Sequence, residues 1–125
     1  MANPNIVAVN TIFGNTTGIA LTTTLTTVLL ANGTSSGKVF KVNSIMIANV
    51  DGTNAADVTV DYHTAANGTA GSSFALAATI SVPADATLNL VDKNSSFYLM
   101  ENQSIIGGAS ADSDLECVIS YEDIS

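Results

Sequence analysis

The sequence predicts an all-β domain, a two-sheet antiparallel β-sandwich or jelly roll of eight to nine short strands. Three observations carry that prediction. No stretch shows a helical stripe of apolar residues; apolar positions alternate or run in short blocks. The blocks are bounded by Gly, Asn, Asp and Ser at fairly even spacing. They are rich in Thr, Val and Ile, whose branched side chains fit a pleated, half-buried surface. A closed barrel is the alternative with the same strand count.

Each element follows from a local signal. Ile6 to Phe13 reads as a first strand opened by Asn3-Pro4. Ile19 to Ala31 is long and Thr-rich, with Leu21, Thr23, Leu25, Thr27, Leu29 and Ala31 on one face. A turn follows at Asn32-Gly33. Lys38 to Val50 is the most apolar strand. Phe40 and Val42 share a face, and a bulge near Asn43 would shift the register beyond it. Ile45, Met46 and Ile47 are then apolar on both faces. Such a strand is either central and covered on both sides or half-buried in a subunit contact, so these three residues are the interface candidates.

Asp51-Gly52 is a hairpin turn signal. From Asp57 to His63 the alternation is clean, with Val58, Val60 and Tyr62 facing a core and Asp57, Thr59, Asp61 and His63 facing solvent. Residues 65–73 form a small-residue loop. Phe74 to Val82 is a strand ended by Pro83, and 83–86 is a turn. Thr87 to Val91 is a short strand, and 92–95 is a polar turn. Phe97 to Met100 and Ser104 to Ala109 read as a hairpin turning at Glu101-Asn102. Asp114 to Glu122 closes the domain with Leu115, Cys117, Ile119 and Tyr121 inward.

The 125 residues fit one domain spanning 1–125. At that size about two-thirds of the unfolded surface can be buried, and 46% hydrophobic residues suffice to fill a core. A single cysteine, Cys117, excludes an intrachain disulfide. Three lysines, no arginine and 11 acidic residues give a net charge of −8. Too few cations remain to replace the counterions of a nucleic acid, or to dock on anionic lipid. Charged residues make up 11% against a usual ~25%. The surface is therefore largely neutral, which lowers the desolvation cost of broad protein–protein packing. No apolar run is long enough for a membrane span, and the first residues lack the pattern of a secretory signal. The expected site of synthesis is a cytoplasm. The Asn-x-Ser/Thr triplets at Asn15, Asn32, Asn67, Asn94 and Asn102 then read as turn and strand residues rather than glycosylation sites.

The residues offer little catalytic machinery. Cys117 alternates with Leu115 and Ile119, so it is expected to be buried and inert. His63, on the polar face of its strand, is expected to be solvated. Asp57 and Asp61 share a face but lie ~13 Å apart along a strand, too far for a glycosidase pair. Asp51, Asn54 and Asp57 place oxygens at spacings that suit a calcium loop, although the twelve-residue pattern is missing; turn chemistry explains them as well. Asp112, Asp114 and Glu116 form an acidic strand start that serves either as a second cation site or as a solvated edge. Gly107-Gly108 has no phosphate-loop context and reads as a bulge or a close strand crossing. No enzyme activity and no cofactor are expected. With 6% aromatics and no tryptophan, a stacked sugar site is disfavoured too.

Four stretches resemble the small virion structural proteins of tailed marine phages, of the cyanophage type. They are MANPNIV, KVFKVNSIMIANVDGTNAADVTVDY, ATISVPADATLNLVDKNSSFYLMENQSI and ASADSDLECVISYEDIS. The resemblance implies a β-sandwich present in many copies on a virion. It points to a non-enzymatic capsid decoration (cement) protein whose partners are the major capsid protein or other virion proteins, acting as a homo-oligomer such as a trimer. The alternative in the same setting is a tail, neck or fibre module binding a host receptor or glycan through loops 51–56, 65–73 and 109–114. A calcium-dependent adhesion or stability module using Asp51 and Asp57 is a third reading.

Overall fold

The computed structural model describes residues 4–125 and is all-β. Nine strands form: β1 (Ile12–Ala20), β2 (Val28–Asn32), β3 (Val39–Asn49), β4 (Ala56–His63), β5 (Ser73–Val82), β6 (Thr87–Val91), β7 (Phe97–Leu99), β8 (Gln103–Ala109) and β9 (Leu115–Ile124). A 3₁₀ turn at Lys93–Ser95 is the one helical element among the described residues. The strands make two antiparallel sheets. Sheet A runs β1-β9-β3-β6 with β7 also on β3, and sheet B runs β2-β8-β4-β5.

The pairing is nested. β6 lies against Ile45–Ala48 of β3 and β7 against Phe40–Val42, both antiparallel, so they are one strand broken by the Lys93–Ser95 excursion. Counted so, the innermost pair is β4·β5. Around it close β3·β6/β7, β2·β8 and β1·β9, alternately in sheets B, A, B and A. The chain is thus a long two-stranded ribbon, tipped at residues 64–72 and rolled into a sandwich, which is the double-Greek-key winding of a jelly roll. The sheets remain separate, so a closed barrel does not form.

The core lies between the sheets. Sheet A contributes Val42, Ile45, Ile47, Leu99, Leu115, Cys117 and Ile119; sheet B contributes Val58, Val60, Ala77, Val82 and Ile105. The expected bulge in β3 exists: the register to β9 shifts between Val42 and Ser44. Asn43 is the extra residue, and it returns Ile45 and Ile47 to the core phase set by Phe40 and Val42. A second bulge, between Val28 and Leu30, lets both Leu29 and Leu30 bury.

Other boundaries differ from the sequence reading. Residues 6–8 do not form a strand. They turn, with the Ala8 N–H donating to the Asn5 carbonyl at 3.0 Å, and Val7 is 91% exposed because no second sheet faces it. Asn3, of the expected Asn3-Pro4 opening, lies outside the described residues. The first strand is instead Ile12–Ala20, a Thr- and Gly-rich stretch without apolar alternation that pairs along its whole length with β9. Pairing with a partner strand overrode local pattern there. The expected strand from Ile19 to Ala31 is divided. Leu21, 1% exposed, crosses between the sheets, donating its N–H to Leu115 O and accepting from Ser113 N.

Asp51-Gly52 is not a hairpin turn, because β3 and β4 belong to different sheets. The segment arches over the end of the sandwich. Buried Asn49 pins it: Nδ2 donates to the carbonyls of Asn54 (3.0 Å) and Val82 (2.9 Å), and Oδ1 accepts from Asp51 N. Glu101-Asn102 is an arch for the same reason, with β7 in sheet A and β8 in sheet B. At that end buried Asn32 has the same role, donating from Nδ2 to Lys38 O (2.9 Å) and Leu99 O (3.0 Å) and accepting from Ser36 Oγ.

Candidate functional site

The interface candidates separate by strand parity. Ile45 and Ile47 are completely buried in the core, whereas Met46, between them, is 41% exposed on the outer face of sheet A. The double coverage considered for this strand is therefore absent on the outer side of Met46. Of the three residues, Met46 alone remains available to a partner.

The registers define what surrounds it. Gly18, Val118, Met46 and Asn89 form one row across β1, β9, β3 and β6. Ala20, Glu116, Ala48 and Thr87 lie to one side, and Thr16, Ser120 and Ser44 to the other. Val118 and Met46 are the large apolar groups at the centre, and the side chains around them are short. Glu122 beside Lys41, and Glu116, bring charge only towards the ends of the face. Because Gly18 has no side chain, an open depression of about 300 Å³ forms along β1 and β9, lined by Gly18, Ile19, Ala20, Glu116, Cys117 and Val118. The result is a weakly polar surface on which the side chains other than Met46 and Glu116 have little entropy to lose on contact.

Sheet B is covered differently. The segment 22–27 leaves the line of β2 and folds over β8. Gly107 N–H donates to Thr27 O (2.9 Å) and Ala109 N–H to Thr22 O (2.8 Å). The excursion between these bonds sits on Gly108, where an added Cβ would lie 2.7 Å from the carbonyl oxygens of both Thr22 and Thr24. The close-crossing reading of the glycine pair therefore holds. Beside this flap a second open groove of about 300 Å³ is lined by Thr23, Leu25, Asp57, Thr59, Thr79, Ala109 and Ser110. Thr79 adopts φ 48°, a left-handed conformation unusual for a β-branched residue.

Two of the three metal candidates, Asp51 and Asn54, bond to each other. Asp51 Oδ1 accepts from Thr53 N (2.8 Å) and Oδ2 from Asn54 Nδ2 (3.3 Å), a local Asx turn. The backbone bond to Thr53, then the Asn54 side chain, holds the Asp51 carboxyl below its ordinary range. Asp57 is a strand residue on the groove of sheet B. Among the described residues no group of three or more His, Cys, Asp or Glu side chains is arranged to hold a metal ion. The acidic strand start is not a single face. β9 begins at Leu115, and Asp112 lies in the preceding turn, where its Oδ1 accepts from Thr23 N at 2.9 Å.

His63 departs from the solvated position that strand alternation predicts: it is 4% exposed, with Nδ1 2.8 Å from Ser73 Oγ and Nε2 without a hydrogen-bond partner. The cause is the 64–72 loop, which folds back on the sheet instead of projecting. Ser104 Oγ donates to Ala65 O (2.6 Å) and Ala66 N to Asn102 Oδ1 (3.2 Å). Cys117 is fully buried, as expected, and burial pushes its thiol up to about 12. Cysteine and histidine stand on different sheets, with no hydrogen bond between them among the described residues. Loops 51–56 and 109–114 meet at one end, where Asp57 N donates to Ser110 Oγ and Val50 N to Asp114 O. Loop 65–73 lies at the opposite end, so the three do not form one surface.

The inter-sheet asparagines were not singled out by the sequence: Asn32, before Gly33, reads as a turn, and Asn49 falls inside the expected strand Lys38 to Val50. No helix among the described residues is long and apolar enough to cross a membrane. Comparison with protein-family models, with curated proteins and with solved structures found no match.

Proposed function

We propose that this protein is a non-enzymatic structural subunit of a phage particle, a capsid decoration protein that stabilises the assembled shell through protein–protein contacts. The observation that carries the reading is the outer face of sheet A. Its centre, where exposed Met46 and Val118 lie beside Gly18, Ser120 and Ser44, carries no charge. Burial of such a face across capsomer boundaries would favour only the assembled state, and ligand linkage then raises shell stability. The resemblance to small phage virion proteins supplies the particle, and the major capsid protein is the proposed partner. The test is uptake of purified protein onto matched capsids stripped of it. Saturable uptake that raises capsid melting temperature, and that Met46→Glu weakens, is the expected result. No uptake at saturating protein removes the proposal.

A receptor- or glycan-binding module is the second reading. It is favoured by the hydroxyl-lined groove of sheet B and by the strained Thr79 at its rim, since backbone strain of ~1–3 kcal/mol gathers at functional sites. Binding on a glycan array, lost in Asp57→Ala, would support it over the capsid reading.

A further inference from the structure

The four sheet edges are not equivalent. A sheet edge exposes unpaired N–H and C=O groups, and proteins protect it with short strands, bulges, breaks or charges. β2 has five residues and a bulge. β5 carries register shifts and the left-handed Thr79. The β6–β7 edge is broken by the Lys93–Ser95 turn. β1 has none of these devices. It pairs with β9 over nine residues without a shift, contains neither charge nor proline, and leaves Ile12 54% and Phe13 60% exposed. No strand among the described residues pairs with its other edge.

We infer that β1 is the site at which two copies of this chain join, edge to edge and antiparallel, about a two-fold axis at Thr16. The strand sequence IFGNTTGIA is nearly self-complementary in that register. Thr16 meets its own copy, Asn15 meets Thr17, Gly14 meets Gly18, Phe13 meets Ile19, and Ile12 meets Ala20. Thr–Thr and aromatic–β-branched pairs are among the favourable cross-strand combinations. A two-fold contact requires just this property, because each residue is opposed by its mirror position. The register also keeps faces together. Phe13 and Ile19 share the parity of Thr17, which pairs with core residue Ile119, so the paired apolar groups lie on the inner face.

Charge selects a second copy as the occupant. Residues 1–37 contain no ionisable side chain, so the whole net charge of −8 arises from the remainder. Two acidic copies repel where their charged surfaces meet, and β1 presents no charge to oppose its copy. A basic partner would gain nothing from this strand and would be drawn to the acidic surfaces instead. The pairing rests on the function proposed above only in taking the protein to act in several copies.

The test uses sedimentation equilibrium on the full chain, with cysteine cross-linking. Wild type is expected to show a concentration-dependent monomer–dimer equilibrium. Thr16→Lys sets two like-charged side chains on Cα atoms ~5 Å apart across the axis, and should raise the dissociation constant at least tenfold while leaving the melting temperature of the monomer unchanged. Thr16→Cys should form a symmetric disulfide on mild oxidation, since facing Cα atoms at that spacing suit the bond. Thr87→Cys, on the far edge, should not, and buried Cys117 does not compete. A strictly monomeric wild type with no Thr16→Cys link, or a dimer indifferent to Thr16→Lys, overturns the inference. A dimer that ignores capsids would remove the capsid reading alone; a monomer that decorates them would remove the edge pairing alone.

Discussion

At the scale of single residues, two buried asparagines hold the sheets together. Asn32 and Asn49 stand at opposite ends of the sandwich, and each supplies an amide to two backbone carbonyls, one of them on the other sheet. Removing such a donor leaves buried acceptors unpaired, at about 1–3 kcal/mol apiece. Asn32→Ala is therefore expected to lower stability by roughly 2–4 kcal/mol, measured by urea denaturation. A loss below about 1 kcal/mol would mean that water replaces the amide. Neither residue was legible as structural beforehand: Asn32 precedes Gly33 and reads as a turn, and Asn49, between Ala48 and Val50, reads as one more strand position. Cys117 was legible: strict alternation with Leu115 and Ile119 predicts burial on any sheet with one covered face. His63 followed the same alternation and was misplaced, because strand parity gives the direction of a side chain and not what a distant loop lays over it.

Among the elements, apolar strands were readable and polar ones were not. β3, β4, β5 and β6 fall within a residue or so of the expected bounds, since each carries a hydrophobic pattern dictated by the core. The Asn43 bulge was legible because the apolar phase changes there. β1 carries no signal of its own because its stability comes from β9 and not from its own burial, and both arches read as hairpins because a turn sequence does not say which sheet follows it. The 22–27 flap had one signal, the glycine pair beneath it. Gly108→Ala would drive a methyl into two carbonyl oxygens, and overpacking of this kind costs about 1–3 kcal/mol. The expected result is a lower melting temperature with faster hydrogen exchange at Gly107 and Ala109, whose N–H groups the flap accepts. The Asp51 arch is predicted to respond to acid. The carboxyl is held below its ordinary value of 3.8 by hydrogen bonds, foremost from Thr53 N–H. Its contribution is thus present above that value and is lost as pH falls through the lower folded value. Asp51→Asn should show a smaller drop in melting temperature between about pH 5 and about pH 2 than wild type; equal drops would mean that the turn holds no preference for the charged form.

For the whole molecule, the two outer faces differ. Sheet B is partly roofed by the 22–27 flap and the folded-back 64–72 loop, while Met46 and Val118 stay exposed at the centre of sheet A. The candidate surface was half legible. Met46 lay in the predicted segment, but its partners Val118 and Gly18 come from strands distant in sequence, and only the register assembles them. The predicted dimer of an acidic protein should respond to salt. The screening length falls from ~8 Å near 0.15 M to ~3 Å near 1 M, and the repulsion between charged bodies falls with it. The dissociation constant is expected to drop several-fold over that range in sedimentation; a rise would indicate that ion pairs, and not the neutral edge, hold the copies together. The nested ribbon also sets an order of folding. Among the described strands only β4 and β5 are consecutive and paired with each other, so they can zip first, and each later pair closes a longer loop at greater entropic cost. β1 and β9, the paired strands farthest apart in sequence, are expected to come together last. The strand assigned to joining copies is thus the last to be completed, so a half-folded chain offers no finished edge, and association waits until the jelly roll has closed.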